Sequence, residues 1–301
     1  MILCCGEALI DMLPEGDCFR PCPGGSVWNV ALALGRLGTG SAFLWPLSTD
    51  PFGAMLAAPL TEAGVDHTFC PRVDRPTTLA FVTLEAGDAR YSFYDEGSAG
   101  RMFAPGDLPA IPPTAQALMI GGISLATEPC GSTVEEFATI AAKRIPVFLD
   151  PNIRPAFIRD EAALRARLAR LMALASAIKL SLEDCNWLWP GLTPAQAAER
   201  MLTLGPALVV ITDGARGVTA YRAKGSISRP APAVVVADSI GAGDSFMAGL
   251  IDALSRHDSL DRAALSALDE RAMVTVLDHA LRVAGITVSR PGADPPWKDE
   301  L

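Results

Sequence analysis

Val236-Ala237-Asp238-Ser239-Ile240-Gly241-Ala242-Gly243-Asp244-Ser245-Phe246-Met247-Ala248-Gly249-Leu250 is the stretch around which the chain is organised. It begins at the end of a β-branched run, Val234 to Val236, and crosses Gly241 and Gly243. It then enters an apolar segment, Phe246 to Leu254, too dense for a loop. The pattern predicts a strand, a glycine turn and a buried helix. A helix starting at such a turn directs unpaired N–H groups outward, and its dipole adds roughly half a positive charge there. Phosphate binds readily at that kind of terminus. Asp244 then has two readings: an acid complementing the dipole in a first turn, or a general base beside an anion hole formed by the amides of Ala242, Gly243 and Asp244. Both can hold at once.

The rest of the chain repeats the theme. Ile2 to Cys5 is a short strand, and Gly6-Glu7-Ala8-Leu9-Ile10-Asp11 leads from it to a Pro/Gly-rich excursion, Pro14 to Gly25. Asp11 lies just past a strand end, where open α/β sheets place ligands. It reads either as a hydrogen-bond partner for a polyol or as a solvated loop carboxylate. Gly24-Gly25-Ser26-Val27-Trp28-Asn29 opens a helix that stops at Gly38, and its paired glycines allow a ligand close to the backbone near Asn29. Ser41 to Leu47 is a strand; Asp50-Pro51-Phe52-Gly53 turns into a helix ending near Gly64.

After Gly100 the β-α alternation resumes with strands at 117–120, 146–149, 177–180, 207–212 and 217–221, and helices at 133–144 and 161–175. Arg165, Arg167 and Arg170 read as a solvated face of the last helix. Such repeats imply a parallel sheet covered on both faces. Polar residues fall just after strand ends: Asn152, Arg154, Ser181, Asp184, Thr212, Gly214 and Asp244.

One segment breaks the alternation. Thr77 to Leu84 and Ala89 to Tyr94, joined by Glu85-Ala86-Gly87-Asp88, read as an antiparallel hairpin. The predicted architecture is one α/β domain, 1–301, doubly wound about a mostly parallel sheet. A small β-sheet lid is inserted in it, built from about 11–23 and 72–100. Lids exclude water from phosphoryl-transfer sites.

Composition narrows the partners. A net charge of −9 and a pI near 4.9 argue against non-specific binding to nucleic acid or anionic membrane. Seven cysteines without a CxxC pair fit reduced thiols, and Met1 to Ile10 has no basic leader, which together point to the cytoplasm. His67, His257 and His279 are scattered, so Cys18 and Cys22 gain no zinc-site partners. No Gly-x-Ser-x-Gly elbow, Gly-x-Gly-x-x-Gly fingerprint or Gly-x-x-x-x-Gly-Lys-Ser/Thr loop is present.

The run Asp238 to Gly249 resembles the C-terminal signature of the ribokinase-like (PfkB) sugar kinases, usually Asp-Thr-x-Gly-Ala-Gly-Asp-x-Phe. The Gly24-Gly25 to Gly38 stretch is similar to the N-terminal signature of that family. Gly6-Glu7, Asp50 to Gly53, Asp150 to Arg154, Thr212 to Gly217 and Arg290-Pro291-Gly292-Ala293 follow in the expected order, so the resemblance covers essentially the whole chain.

That resemblance implies transfer of the γ-phosphate of Mg-ATP to a primary hydroxyl of a sugar. Asp244 would be the base, with Gly241, Ala242 and Gly243 as the anion hole. Asp11, Gly24, Gly25 and Asn29 would bind sugar hydroxyls, with Arg90 or Phe93 closing from the lid. Ser181, Thr212, Gly214 and Gly217 would line ATP, and Arg154 would offset charge on the transferred group unless it is a surface ion pair. Ser181-Leu182-Glu183-Asp184 departs from the usual Asn-x-x-Glu, leaving either Glu183 or Asp184 to hold Mg²⁺ through water. Asp238 and the Ile240 carbonyl mark where some relatives bind a monovalent cation such as K⁺. The Gly-Glu-Ala-Leu-Ile-Asp opening, the Pro76-Thr77-Thr78 lid entry and the Ser98-Ala99 exit resemble fructokinases, so fructose is the expected substrate. A 2-keto-3-deoxygluconate, other sugar or nucleoside kinase is the alternative, and a non-catalytic sugar sensor a remote one. Apolar alternation on the lid suggests a homodimer formed through it.

Overall fold

Ile2–Cys5 (β1), Ser41–Leu44 (β4), Ala117–Gly121 (β9) and Val147–Asp150 (β10) are buried along their whole length. Strands covered on both faces need mostly apolar side chains, which is why these runs do not alternate. The computed structural model describes residues 1–85 and 88–301, with the side chains of 84–90 left outside the description. Before β4 come β2 (Leu9–Glu15), β3 (Cys18–Gly24) and helix α1 (Ser26–Arg36). Between β4 and β9 come β5 (Leu47–Ser48), α2 (Pro51–Glu62), β6 (Arg72–Val73), β7 (Leu79–Glu85) and β8 (Asp88–Tyr94). Flanking β10 are α3 (Cys130–Ala141) and α4 (Glu161–Leu174), followed by β11 (Ala177–Ser181), α5 (Leu182–Leu188) and α6 (Pro194–Leu202). The chain finishes with β12 (Leu208–Thr212), β13 (Val218–Arg222), β14 (Gly225–Arg229), α7 (Ala242–Arg256), α8 (Arg262–Ala267) and α9 (Glu270–Val288).

The main sheet has eight strands in the order β14-β13-β12-β11-β10-β9-β1-β4. Pairing is parallel from β4 to β12 and antiparallel for β12–β13 and β13–β14. The expected doubly wound α/β architecture is therefore present, with a small second sheet. The C-terminal ends of β1, β9, β10, β11 and β12 open on one rim. There α7, buried from Asp244 to Leu254, packs against α1 and α9. Gly249 permits that approach, because a Cβ there would stand 2.9 Å from Ala280 Cα.

The second sheet runs β3-β2-β7-β8. What the sequence suggested as an excursion, Pro14 to Gly25, is in fact half of a regular hairpin, with Ile10 opposite Pro23, Met12 opposite Pro21 and Pro14 opposite Phe19. Pro21 and Pro23 are tolerated because β3 is an edge strand and prolines two apart turn their missing N–H groups to one side. Gly16 (φ 59°) makes the tight connection. The expected turn at 85–88 crosses residues outside the description.

Two other expectations fail. Val234 to Val236 is not a strand: the segment is irregular, and Val235 is 88% exposed. Pro230 and Pro232 cannot donate to a ladder, and the neighbouring edge strand is Gly225–Arg229 instead. The run lies along α9, with Ala237 N–H donating to Val288 O at 2.8 Å. Arg167 does not lie on a solvated face but is 5% exposed, donating to Leu125 O (2.8 Å), Glu135, Glu128 and Ser132. It fixes α4 to α3 and the loop before it, whereas Arg170 does face solvent. No helix among the described residues is long and apolar enough to cross a membrane.

Candidate active site

α7 begins at Gly241, whose left-handed backbone (φ 73°) turns the chain into the helix. A Cβ at this position would also meet Ala293 Cβ at 2.6 Å. The amides of Gly243 and Asp244 have no acceptor among the described residues, as expected in a first helical turn. Asp238 secures the approach: its carboxylate accepts from Ile240 N–H (3.0 Å) and Gly292 N–H (2.9 Å).

Asp244 is buried, and both of its oxygens are held. Ser26 Oγ donates to Oδ1 at 2.7 Å, Asn152 Nδ2 to Oδ1 at 3.2 Å, and Asn29 Nδ2 to Oδ2 at 2.7 Å. Asn152 Nδ2 also reaches Ser26 Oγ at 2.9 Å, from a backbone with φ 43° that few non-glycine residues adopt. Such strain is concentrated at functional sites. Asn29 Oδ1 is buried without a partner among the described residues.

The donors are set by Glu7, at the end of β1. Its carboxylate accepts from Ser26 N–H (3.1 Å) and Ser124 N–H (3.2 Å), tying the start of α1 to the turn after β9. Burial first, with the Asp244 charge adding to it, pushes the Glu7 carboxyl up to about 7 against the pull of its amide donors. Gly25 is required here, since a Cβ would lie 2.5 Å from Glu7 O. Gly24 faces Asp11, with Oδ2 2.5 Å from the place of its Cβ. Burial, then the charge of Asp244, raises the Asp11 carboxyl to about 6, while Arg154 opposes the shift.

Other predicted residues stand further out. Arg154 is exposed and donates only to Ile153 O among the described residues. Phe93 packs edge-on against Phe157 (4.8 Å between ring centres) on the face of the small sheet that carries Leu9 and Ala80. The side chain of Arg90 lies outside the described residues. Ser181 caps α5, and Asp184 answers it: Asp184 Oδ2 accepts from Ser181 N–H (3.0 Å) and Oδ1 from Ile153 N–H (2.8 Å). Glu183 is exposed beside it. Thr212 pairs with Ser181 at the strand ends, and Gly214 follows with φ 49°. Gly217 has a structural reason, because a Cβ there would meet Arg229 O at 2.1 Å.

Asn152, noted in the sequence as a polar residue just after a strand end, joins the site, and Ser26, Asp150 and Lys179 complete it without having been singled out as site residues. A lone lysine within the apolar strand Ala177–Ser181 was the available signal for one of them.

The pfkB family carbohydrate kinase model matches residues 2–300. The chain belongs to that family. This kinase is 42% identical over 278 residues to a fructokinase of Rhizobium leguminosarum bv. trifolii, covering 91% of this chain and 85% of the relative. Among solved structures, the ATP-bound fructokinase of Xylella fastidiosa matches with a TM-score of 0.89 and 32% identity, covering 97% and 93% of the two chains. A double mutant of the Vibrio cholerae O395 fructokinase, with fructose, ADP and potassium ion bound, matches with a TM-score of 0.85 and 26% identity, covering 97% and 93%. The expected ribokinase-like recognition, fold and sugar-kinase activity thus stand on the family match.

Proposed function

We propose that this kinase transfers the γ-phosphate of Mg-ATP to a primary hydroxyl of fructose, with Asp244 as the general base. The observation that carries the reading is the Asp244 carboxylate, held by Ser26, Asn29 and Asn152 at the mouth of a helix whose Gly243 and Asp244 amides have no acceptor among the described residues. A carboxylate fixed in this way can take the proton of a sugar hydroxyl that replaces one of its donors, a contribution commonly worth ~100- to 10,000-fold. The Gly243 and Asp244 amides, on the glycine turn at Gly241, face the side from which an anion approaches. Phosphoryl transfer is mostly positioning and electrostatic stabilisation, which suits a site without a covalent nucleophile.

Asp11 and Asn29, with Gly24 and Gly25 leaving room, are assigned to sugar hydroxyls. The unpartnered Asn29 Oδ1 supports this assignment. Phe93, with Arg90, is assigned to closure over the sugar, Arg154 to the transferred group, and Ser181, Thr212, Gly214 and Gly217 to the nucleotide. No group of three His, Cys, Asp or Glu among the described residues is placed to ligate a metal directly. Mg²⁺, which keeps several waters, is assigned to Asp184 or Glu183 through water; bound with ATP it would neutralise phosphate charge. Asp238 with the Ile240 carbonyl is the assigned K⁺ position, in keeping with the potassium bound by the Vibrio relative. Free thiols at all seven cysteines accord with a cytoplasmic enzyme. A dimer through the small sheet is supported by the packed aromatics Phe19, Phe81 and Tyr94, two of which are exposed.

The test is coupled ADP release with Mg-ATP against fructose, 2-keto-3-deoxygluconate, ribose, glucose, tagatose and adenosine. Fructose should give the highest kcat/KM by at least an order of magnitude. Preference for the acid sugar or the nucleoside would overturn the substrate assignment and leave the base assignment standing. Light scattering that finds a monomer at micromolar concentration would remove the dimer.

A further inference from the structure

Lys179 is 3% exposed in the middle of β11, and its ammonium donates to Asp150 Oδ2 at 2.8 Å. Buried ion pairs are poor stabilisers, because desolvation consumes most of the Coulomb gain unless every remaining donor and acceptor is satisfied. This pair is not fully satisfied. Among the described residues, Asp150 Oδ1 is buried with no partner, and Asp150 Oδ2 is the one protein acceptor of Lys179 Nζ.

Its position suggests another use. Lys179 Nζ lies 2.9 Å from where a Cβ on Gly243 would stand, directly against the first turn of α7. Gly243 therefore makes room for a cation as well as for a ligand. Burial disfavours the charged lysine, but Asp150, then Asp244 and Asp184, outweigh it and keep the ammonium protonated. The same aspartates leave an excess of negative charge where a phosphoryl group, itself anionic, has to be accepted.

We infer that Lys179 is a positioning residue for phosphoryl transfer, a buried fixed cation that reinforces the positive end of α7 and offsets Asp150, Asp184 and Asp244. This rests on the kinase reading of α7 given above. A unit charge acting over several ångströms at an effective dielectric near ~20 changes a rate by roughly ten- to a hundredfold.

The test compares the wild type with the double variant Lys179→Met/Asp150→Asn, which removes the pair without leaving a buried charge, and with Lys179→Gln, which can still donate to Asp150. For each folded protein, kcat and KM are measured with the sugar that the wild type phosphorylates. Calorimetry gives the affinity for that sugar and for ADP–aluminium fluoride. The expected result is a ten- to hundredfold fall in kcat and at least a tenfold loss of ADP–aluminium fluoride affinity, with sugar affinity within threefold of wild type. A folded variant of either kind with wild-type kcat and wild-type analogue affinity overturns the inference and makes the pair merely structural. A wild type that neither turns over any sugar nor binds the analogue removes the kinase-site reading, and this inference with it.

Discussion

Asp50 ties the start of α2 to the entry of the small sheet, and its removal should be felt at a distance. Its Oδ1 accepts from Gly53 N–H at 2.7 Å, capping α2, and from Thr77 Oγ1 at 2.8 Å; Oδ2 accepts from Thr77 N–H at 2.8 Å. Burial works against its charge, yet these donors hold the carboxyl below its ordinary range. Thr77 is itself buried and leads into β7, which pairs with β2 so that Ala80 stands opposite Asp11. Asp50→Ala removes an N-cap worth about 1 kcal/mol. It also strands the N–H and O–H of Thr77, at about 1–3 kcal/mol for a buried unpaired donor. Allowing for relaxation and water entry, about 3 kcal/mol is expected, equivalent to roughly 150-fold faster amide exchange by local opening. Hydrogen exchange should show that acceleration at residues 76–80, with little change in β9 and β10. The sugar KM should rise more than kcat falls, because Asp11 loses its support. Unchanged exchange at 76–80, with stability lowered by less than about 0.5 kcal/mol, would refute the idea that one carboxylate anchors the small sheet.

Further expectations concern charge and backbone. Sugar kcat/KM should fall by up to about tenfold per pH unit below about 6, where the raised Asp11 carboxyl protonates; in a pH titration Asp11→Asn should be weak and free of that limb. Glu7, Asp11 and Asp150 all have folded pKa values above their ordinary ones, at about 7, 6 and 6. Their contribution to stability is therefore complete below the ordinary carboxylate range and lost as pH rises through 6 to 7, whereas that of the depressed Glu135 and Asp252 is lost on acidification. Denaturant midpoints should fall between about pH 5 and 7, and a flat profile would contradict these shifts. Gly241→Ala should cost about 1–2 kcal/mol for left-handed backbone alone, more with the Ala293 clash, and a melting temperature equal to wild type would count against the turn geometry.

Much of this was legible in the sequence for identifiable reasons. The strands buried on both faces gave continuous apolar runs, and Gly241 with the dense run after Asp244 located α7 directly. Val234 to Val236 misled because β-branching is shared by strands and by extended segments lying on a helix, and the flanking prolines were the stronger signal. Arg167 misled because the periodicity of α4 does not tell a solvated arginine from one that Leu125 O and Glu135 hold inside. The contacts of Asp244 with Ser26 and Asn29 span 218 and 215 residues. No local pattern reports pairings of that range, so these came from the resemblance or not at all. Glu7 appeared only as part of a motif, and its bridging of Ser26 and Ser124 depends on three separate elements meeting.

The central claim is that Asp244 is the base. The most direct measurement is single-turnover phosphorylation of the preferred sugar by Asp244→Asn, a near-isosteric change, with folding checked by circular dichroism and sugar affinity by calorimetry. The account predicts a rate lower by ~100- to 10,000-fold with sugar affinity within a few-fold of wild type. A rate within tenfold of wild type in the folded variant would contradict it.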